Sequence, residues 1–125
     1  MPIEITGDNL DATLGKPGVV VLDFWAAWCG PCQAFAPIFE AAATRHPDVV
    51  FGKVDTEAET ELAGAFRIQS IPTTIVFRDG IMLFCQPGLL PEQMLEQLIV
   101  EVKGLDMNEV RTKVAELEAA QKAGS

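Results

Sequence analysis

Val19-Val20-Val21-Leu22-Asp23-Phe24-Trp25, followed at once by Ala26-Ala27-Trp28-Cys29-Gly30-Pro31-Cys32, is the stretch that decides the fold. Its first half is β-branched, aromatic and almost continuously apolar, as in a strand covered on both faces. Its second half runs into Phe35, Ile38, Phe39 and Ala42, spaced along one helical face, with Pro37 expected to kink that helix. A cysteine just past a strand end, at a helix start, meets the positive pole of the helix dipole. It also faces amide N–H groups that lack intrahelical acceptors. Both effects stabilise a thiolate, so Cys29 is expected to have a lowered pKa and to act as a nucleophile. Cys32 lies one turn further on, near enough to close a disulfide and deeper in the fold. Gly30 relaxes the backbone between them, and Pro31 suits a first helical turn.

Upstream, a short strand is expected at Pro2 to Ile5. Thr6-Gly7-Asp8 then offers capping chemistry to a helix with Leu10 and Leu14, which stops at Gly15-Lys16-Pro17-Gly18. Downstream, Val49 to Val54 reads as a second strand, and Leu62, Ala65 and Phe66 mark a short helix after a cap region at Thr56. Thr73 to Phe77 and Ile81 to Phe84 flank Asp79-Gly80, a tight hairpin signal. Pro91 opens a helix with Met94, Leu95, Leu98, Ile99 and Val102 on its apolar side. Strands alternating with helices imply an α/β fold whose central sheet is mainly parallel, with the hairpin adding an antiparallel pair. This domain spans residues 1–103, and residues 104–125 form a separate segment.

In that segment Asp106 and Glu109 have the spacing of a capping box, and Met107, Val110, Val114 and Leu117 form one narrow apolar stripe. The pattern predicts an additional C-terminal helix through about Ala120. It would dock on its own domain, on a second copy by self-association, or on a partner, with fraying expected at Ala123-Gly124-Ser125.

The 125 residues suit one domain, and 49% hydrophobic with 22% charged residues excludes a disordered chain. A net charge of −9 argues against nucleic-acid binding, which needs a basic face. Met1 to Leu10 do not read as a signal peptide, and the apolar run from Val19 is broken by Asp23, so no membrane span is expected. Three cysteines are too few and too odd in number for a secreted disulfide scaffold, which points to a cytoplasmic location.

Other readings of the cysteine pair are weaker. A structural zinc site needs four ligands, and beyond the pair only Cys85 and His46 remain, so no metal is expected. Haem attachment needs a histidine after Cys32, where Gln33 stands. Two inert cysteines would not explain the strand-to-helix placement. Cys85, among Leu83, Phe84 and Gln86, is expected to be a small buried or half-buried thiol. His46 is expected as a helix C-cap, and Glu57, Glu59 and Glu61 as acids favouring a helix dipole.

Asp23-Phe24-Trp25-Ala26-Ala27-Trp28-Cys29-Gly30-Pro31-Cys32 and Ile71-Pro72-Thr73 resemble the two signature stretches of the thioredoxin family, a resemblance covering about Ile3 to Lys103. It implies a five-stranded mixed sheet flanked by four helices. It also implies thiol–disulfide oxidoreductase activity, reducing protein disulfides with Cys29 as attacking thiolate and Cys32 as resolving thiol. Asp23 matches the family's buried acid, which exchanges the resolving thiol's proton through water, and Lys53 matches its lysine neighbour. Pro72 matches a cis-proline, and the backbone of Ile71 would pair with a substrate strand. Trp28, Gly30, Pro31, Ile71 and Pro72 would form a flat apolar patch around an exposed sulfur, with Gly88 at its third wall. The resemblance further implies that no cofactor is bound, that NADPH would act through a flavin-dependent thioredoxin reductase, and that disulfide-containing proteins would be the substrates.

From the residues alone, Asp23 inside an apolar strand is either paired or neutral, or else turned toward a strand end and solvated. Lys53 reads equally as a solvated strand-edge lysine. The chain departs from the family pattern at Gln33, where a basic residue is common, at Pro87, where a glycine is usual and Gly88 follows one place later, and in the length beyond Lys103. An extracytoplasmic reductase or isomerase, and a docking module without turnover, are the competing functions.

Overall fold

The computed structural model describes residues 1–123. In chain order its elements are β1 (Ile3–Glu4), α1 (Leu10–Leu14), β2 (Val19–Trp25), α2 (Gly30–Arg45), β3 (Val50–Asp55), α3 (Thr60–Ala65), β4 (Thr73–Arg78), β5 (Ile81–Pro87), α4 (Glu92–Lys103) and α5 (Met107–Ala123). The five strands form one sheet in the order β1-β3-β2-β4-β5. β3 runs parallel to β1 and β2, whereas β4 is antiparallel to both β2 and β5. The crossover through α2 makes the β2/β3 pair parallel; the tight turn makes the β4/β5 pair antiparallel. At that turn Asp79 and Gly80 both have positive φ, 52° and 79°, as a two-residue hairpin with matching twist requires.

Alternation along β2 sorts its side chains to two faces. Val19 and Val21 pack with Phe35 and Phe39 of α2, Phe51 of β3, Val76 of β4 and Leu95 and Ile99 of α4. Val20, Leu22 and Phe24 pack on the other face with Leu10, Val54, Ile75 and Phe77, and the flanking Phe66 closes over them. Among the described residues, no helix is long and apolar enough to cross a membrane.

Three local expectations are corrected. The N-cap of α1 is Asn9 rather than a residue of Thr6-Gly7-Asp8, and its side chain makes no cap bond because its Oδ1 receives the amide of Thr6 at 2.8 Å and holds that turn. The N-cap of α3 is Glu59 rather than Thr56, whose amide and hydroxyl both donate to the carbonyl of Trp25. Cys85 is exposed, because it lies on the outermost strand, opposite Ile75.

The C-terminal helix is present as a fifth helix. Asp106 Oδ1 accepts the amides of Asn108, at 2.9 Å, and Glu109, at 3.4 Å. Of the stripe, Met107 is buried, Val110 and Val114 are half-buried and Leu117 is 64% exposed, so the helix docks by its first turns. Arg78 Nη1 secures the approach by donating to the carbonyls of Val102, Lys103 and Leu105 at 2.8, 3.0 and 2.8 Å. The fraying expected at Gly124 and Ser125 lies outside the described residues.

Candidate active site

The end of β2 and the start of α2 place the cysteines. Cys29 is the N-cap of α2 with extended backbone, and Pro31 occupies its first turn, where a missing N–H leaves no hydrogen bond unmade. The amide of Cys32 donates to Sγ of Cys29 at 3.2 Å. The two cysteines are joined in a disulfide with Cα atoms 5.2 Å apart, inside the usual range. One sulfur thus accepts an amide at a helix N-terminus, a setting that stabilises a thiolate.

The second signature stretch comes to the same place from the far side of the fold. The peptide bond between Ile71 and Pro72 is cis. The carbonyl oxygen of Ile71 lies 3.7 Å from Sγ of Cys29, and Ile71 packs against the cluster of Ala26, Cys29 and Cys32. Gly88, at φ 93°, donates its amide to the carbonyl of Pro72 at 2.7 Å. Pro87 pairs in register with Thr73. The substitution of proline for glycine at 87 therefore leaves a glycine at the turn that touches Pro72.

The expected exposed sulfur is corrected. Cys29 is only 4% exposed, tucked between the Cys32 amide and the Ile71 carbonyl, while Trp28 beside it is 70% exposed. Gly30 and Pro31 are exposed, Ile71 is half-buried and Pro72 is buried. Trp28 is held by a hydrogen bond from its indole N–H to Oε1 of Glu57. Glu57, read from sequence as a dipole-favouring acid, thus belongs to the edge of the site. Its partner lies on a remote segment, so no local pattern reveals it. Gln33 turns back to donate to the carbonyl of Ala27 at 2.9 Å.

Asp23 is fully buried, which removes the solvated alternative. It stands opposite Lys53 on β3 and Thr74 on β4. Burial pushes its carboxyl from the ordinary 3.8 up to about 7, although the nearby Lys53 charge pulls in the other direction. Lys53 is half-buried rather than free at a strand edge, with its Nζ 4.9 Å from the ring centre of Trp25. A cavity of about 260 Å³, lined by Trp25, Cys32, Gln33, Ala36 and Lys53 among others, opens behind the resolving cysteine. His46 is the C-cap of α2; its Nε2 contacts Glu96 Oε2 at 2.7 Å, and it stands apart from the cysteines. Among the described residues, no cluster of His, Cys, Asp and Glu could hold a metal.

A disulfide at a helix N-terminus, a cis-proline against it and a buried acid on the adjoining strand define a dithiol–disulfide exchange protein on a thioredoxin fold. The Thioredoxin family model matches residues 1–101, and the chain belongs to the thioredoxin family. It is 52% identical over 117 residues to "Putative thioredoxin 2" of Streptomyces coelicolor, covering 94% of this chain and 87% of that one. That coverage extends the match into α5. It is 39% identical over 98 residues to the thioredoxin of Bacillus subtilis, covering 78% of this chain and 93% of the other. Among solved structures, a mutant thioredoxin from Halobacterium salinarum superposes with a TM-score of 0.78 at 34% identity, covering 84% of this chain and 93% of that one. The protein is a thiol–disulfide oxidoreductase whose redox centre is Cys29 and Cys32.

Proposed function

We propose that the chain works as a cytoplasmic protein-disulfide reductase, recycled by a thioredoxin reductase that draws on NADPH. The observation that carries this reading is the Cys32 amide on Sγ of Cys29, which supports Cys29 as the attacking thiolate and Cys32 as the resolving thiol. The Cys29 thiolate attacks a target disulfide, forming a mixed disulfide and releasing one target thiolate. Cys32 then gives up its proton and attacks Sγ of Cys29, which frees the second target thiolate and leaves the Cys29–Cys32 disulfide. Asp23 is the acceptor for that proton; its elevated pKa near 7 suits exchange close to neutral pH. Lys53 supports the ionised form of Asp23 by its charge.

Trp28, Gly30, Pro31, Ile71, Pro72 and Gly88 form the substrate-binding surface. The exposed Trp28 ring supplies apolar area on one side, and the Ile71–Pro72 backbone offers an edge to an extended target segment on the other. Residues 1–103 are the working domain and residues 104–125 an appended segment. Insulin reduction coupled to NADPH and a thioredoxin reductase tests this reading. Turnover abolished by Cys29→Ser is expected, and binding to target without turnover in the unaltered protein would overturn it.

A further inference from the structure

Thr73 and Thr74 begin β4, and the structure accounts for only one of their hydroxyls. Thr73 donates to the carbonyl of Ser70 at 2.6 Å. Thr74 is fully buried, and its Oγ1 has no hydrogen-bond partner among the described residues. The same holds for both carboxylate oxygens of Asp23, the residue directly opposite it in the β2/β4 register. Directly opposed side chains in an antiparallel pair have Cβ atoms about 4.5–5.5 Å apart, within reach of a hydroxyl and a carboxylate. A buried hydroxyl without a partner is unfavourable, and valine would fill the same space without that penalty.

We propose that Thr74 is a positioning residue for the redox reaction, its hydroxyl donating a hydrogen bond to the Asp23 carboxylate whenever that group is ionised. The inference rests on the reading of Asp23 as acceptor of the Cys32 proton. In the disulfide form the two groups are not bonded, so the bond forms by a turn of the Thr74 side chain toward the carboxylate when Asp23 ionises. Asp23 is in phase with Val19 and Val21 along β2 and so shares the face covered by α2 and α4. α2 brings Cys32 to that side, β3 brings Lys53, and α4 buries only Leu95, Leu98, Ile99 and Val102. Lys53 is therefore the charged neighbour and Thr74 the neutral donor.

Donation to the charged form lowers a carboxyl pKa, so removing the hydroxyl raises it. The test follows the Asp23 carboxyl resonance of the reduced protein by carbon NMR across pH, with Thr74→Val and Thr74→Ser variants. It also measures single-turnover release from a mixed disulfide on Cys29. Thr74→Val is expected to move the Asp23 titration upward by about one pH unit, and to slow release near neutral pH by up to about tenfold. Thr74→Ser should restore both, and in an Asp23→Asn background Thr74→Val should have no further effect on release. An unchanged Asp23 titration in Thr74→Val overturns the proposal, as does an equal loss of rate in the Asp23→Asn background. If Asp23→Asn itself leaves the pH profile of release unchanged, the proton-acceptor reading fails, while the NMR titration still decides whether Thr74 bonds to Asp23.

Discussion

The backbone N–H of Cys32 points at Sγ of Cys29 from 3.2 Å, so one sulfur of the redox pair is held by the amide of the other cysteine. Cys29 is nearly covered, whereas Cys85 is exposed. If thiolate character rather than exposure governs reactivity, iodoacetamide at neutral pH should modify Cys29 of the reduced protein before Cys85. Peptide mass mapping over time checks the order. Cys32→Ser should accumulate mixed disulfides with targets, and trapping mainly through Cys32 in Cys29→Ser would reverse the assignment.

The pKa of Asp23 is raised by burial, so the folded state keeps its proton when the unfolded chain has already lost it. The contribution of Asp23 to stability is greatest below the ordinary value of 3.8 and declines as pH rises toward about 7, then levels off. The rise corresponds to a burden of up to about 4 kcal/mol once the group is forced to ionise. Asp23→Ala should therefore gain stability relative to the unaltered protein between pH 5 and pH 8, as read by urea midpoints, and resolve mixed disulfides more slowly.

Glu96 shows the opposite sign. Partial burial raises its pKa, but hydrogen bonds from His46 and Arg45 outweigh that and hold it below the ordinary value. Its contribution is present above the unfolded carboxylate pKa and is lost as pH falls through the folded one. Glu96→Gln should lose up to about 1 kcal/mol at pH 7, the upper range for part-exposed pairs. At pH 3 the urea midpoints of variant and unaltered protein should approach each other.

Gly52, in the middle of β3, has no room for a side chain. A Cβ there would overlap Cγ1 of Ile5 and come within 3.0 Å of Cδ2 of Leu22. Gly52→Ala should destabilise the fold by about 1–3 kcal/mol through overpacking. Insulin reduction per folded molecule should stay unchanged, since the clash lies on the sheet face away from the cysteines.

Truncation after Lys103 removes the buried Met107 and the salt bridge from Arg111 to Asp79 at 3.7 Å. A loss of about 1.5–3 kcal/mol is expected from the apolar burial. Amide hydrogen exchange in the intact chain should show protection concentrated in the first turns of α5. Arg78→Met should reduce that protection by freeing two carbonyls at the end of α4 and that of Leu105 in the connection to α5.

Much of the molecule is governed by short-range rules and was legible for that reason. The apolar run from Val19 to Trp25, the cysteine spacing across one helical turn and the Asp79-Gly80 turn each depend on side-chain period or backbone sterics within a few residues. The cis bond before Pro72 followed from family resemblance, because no local preference selects it. What the chain meets at long range was decided by the sheet order. β4 lies beside β2, and this sets Thr74 against Asp23. The loop after β3 carries Glu57 to Trp28, and the edge position of β5 leaves Cys85 uncovered. Periodicity tells which face of an element is apolar, but not which remote element covers it, because that choice belongs to the packing of the whole chain. The covering of Cys29 by the Ile71 carbonyl and the docking of α5 by its first turns were therefore settled only in the tertiary structure.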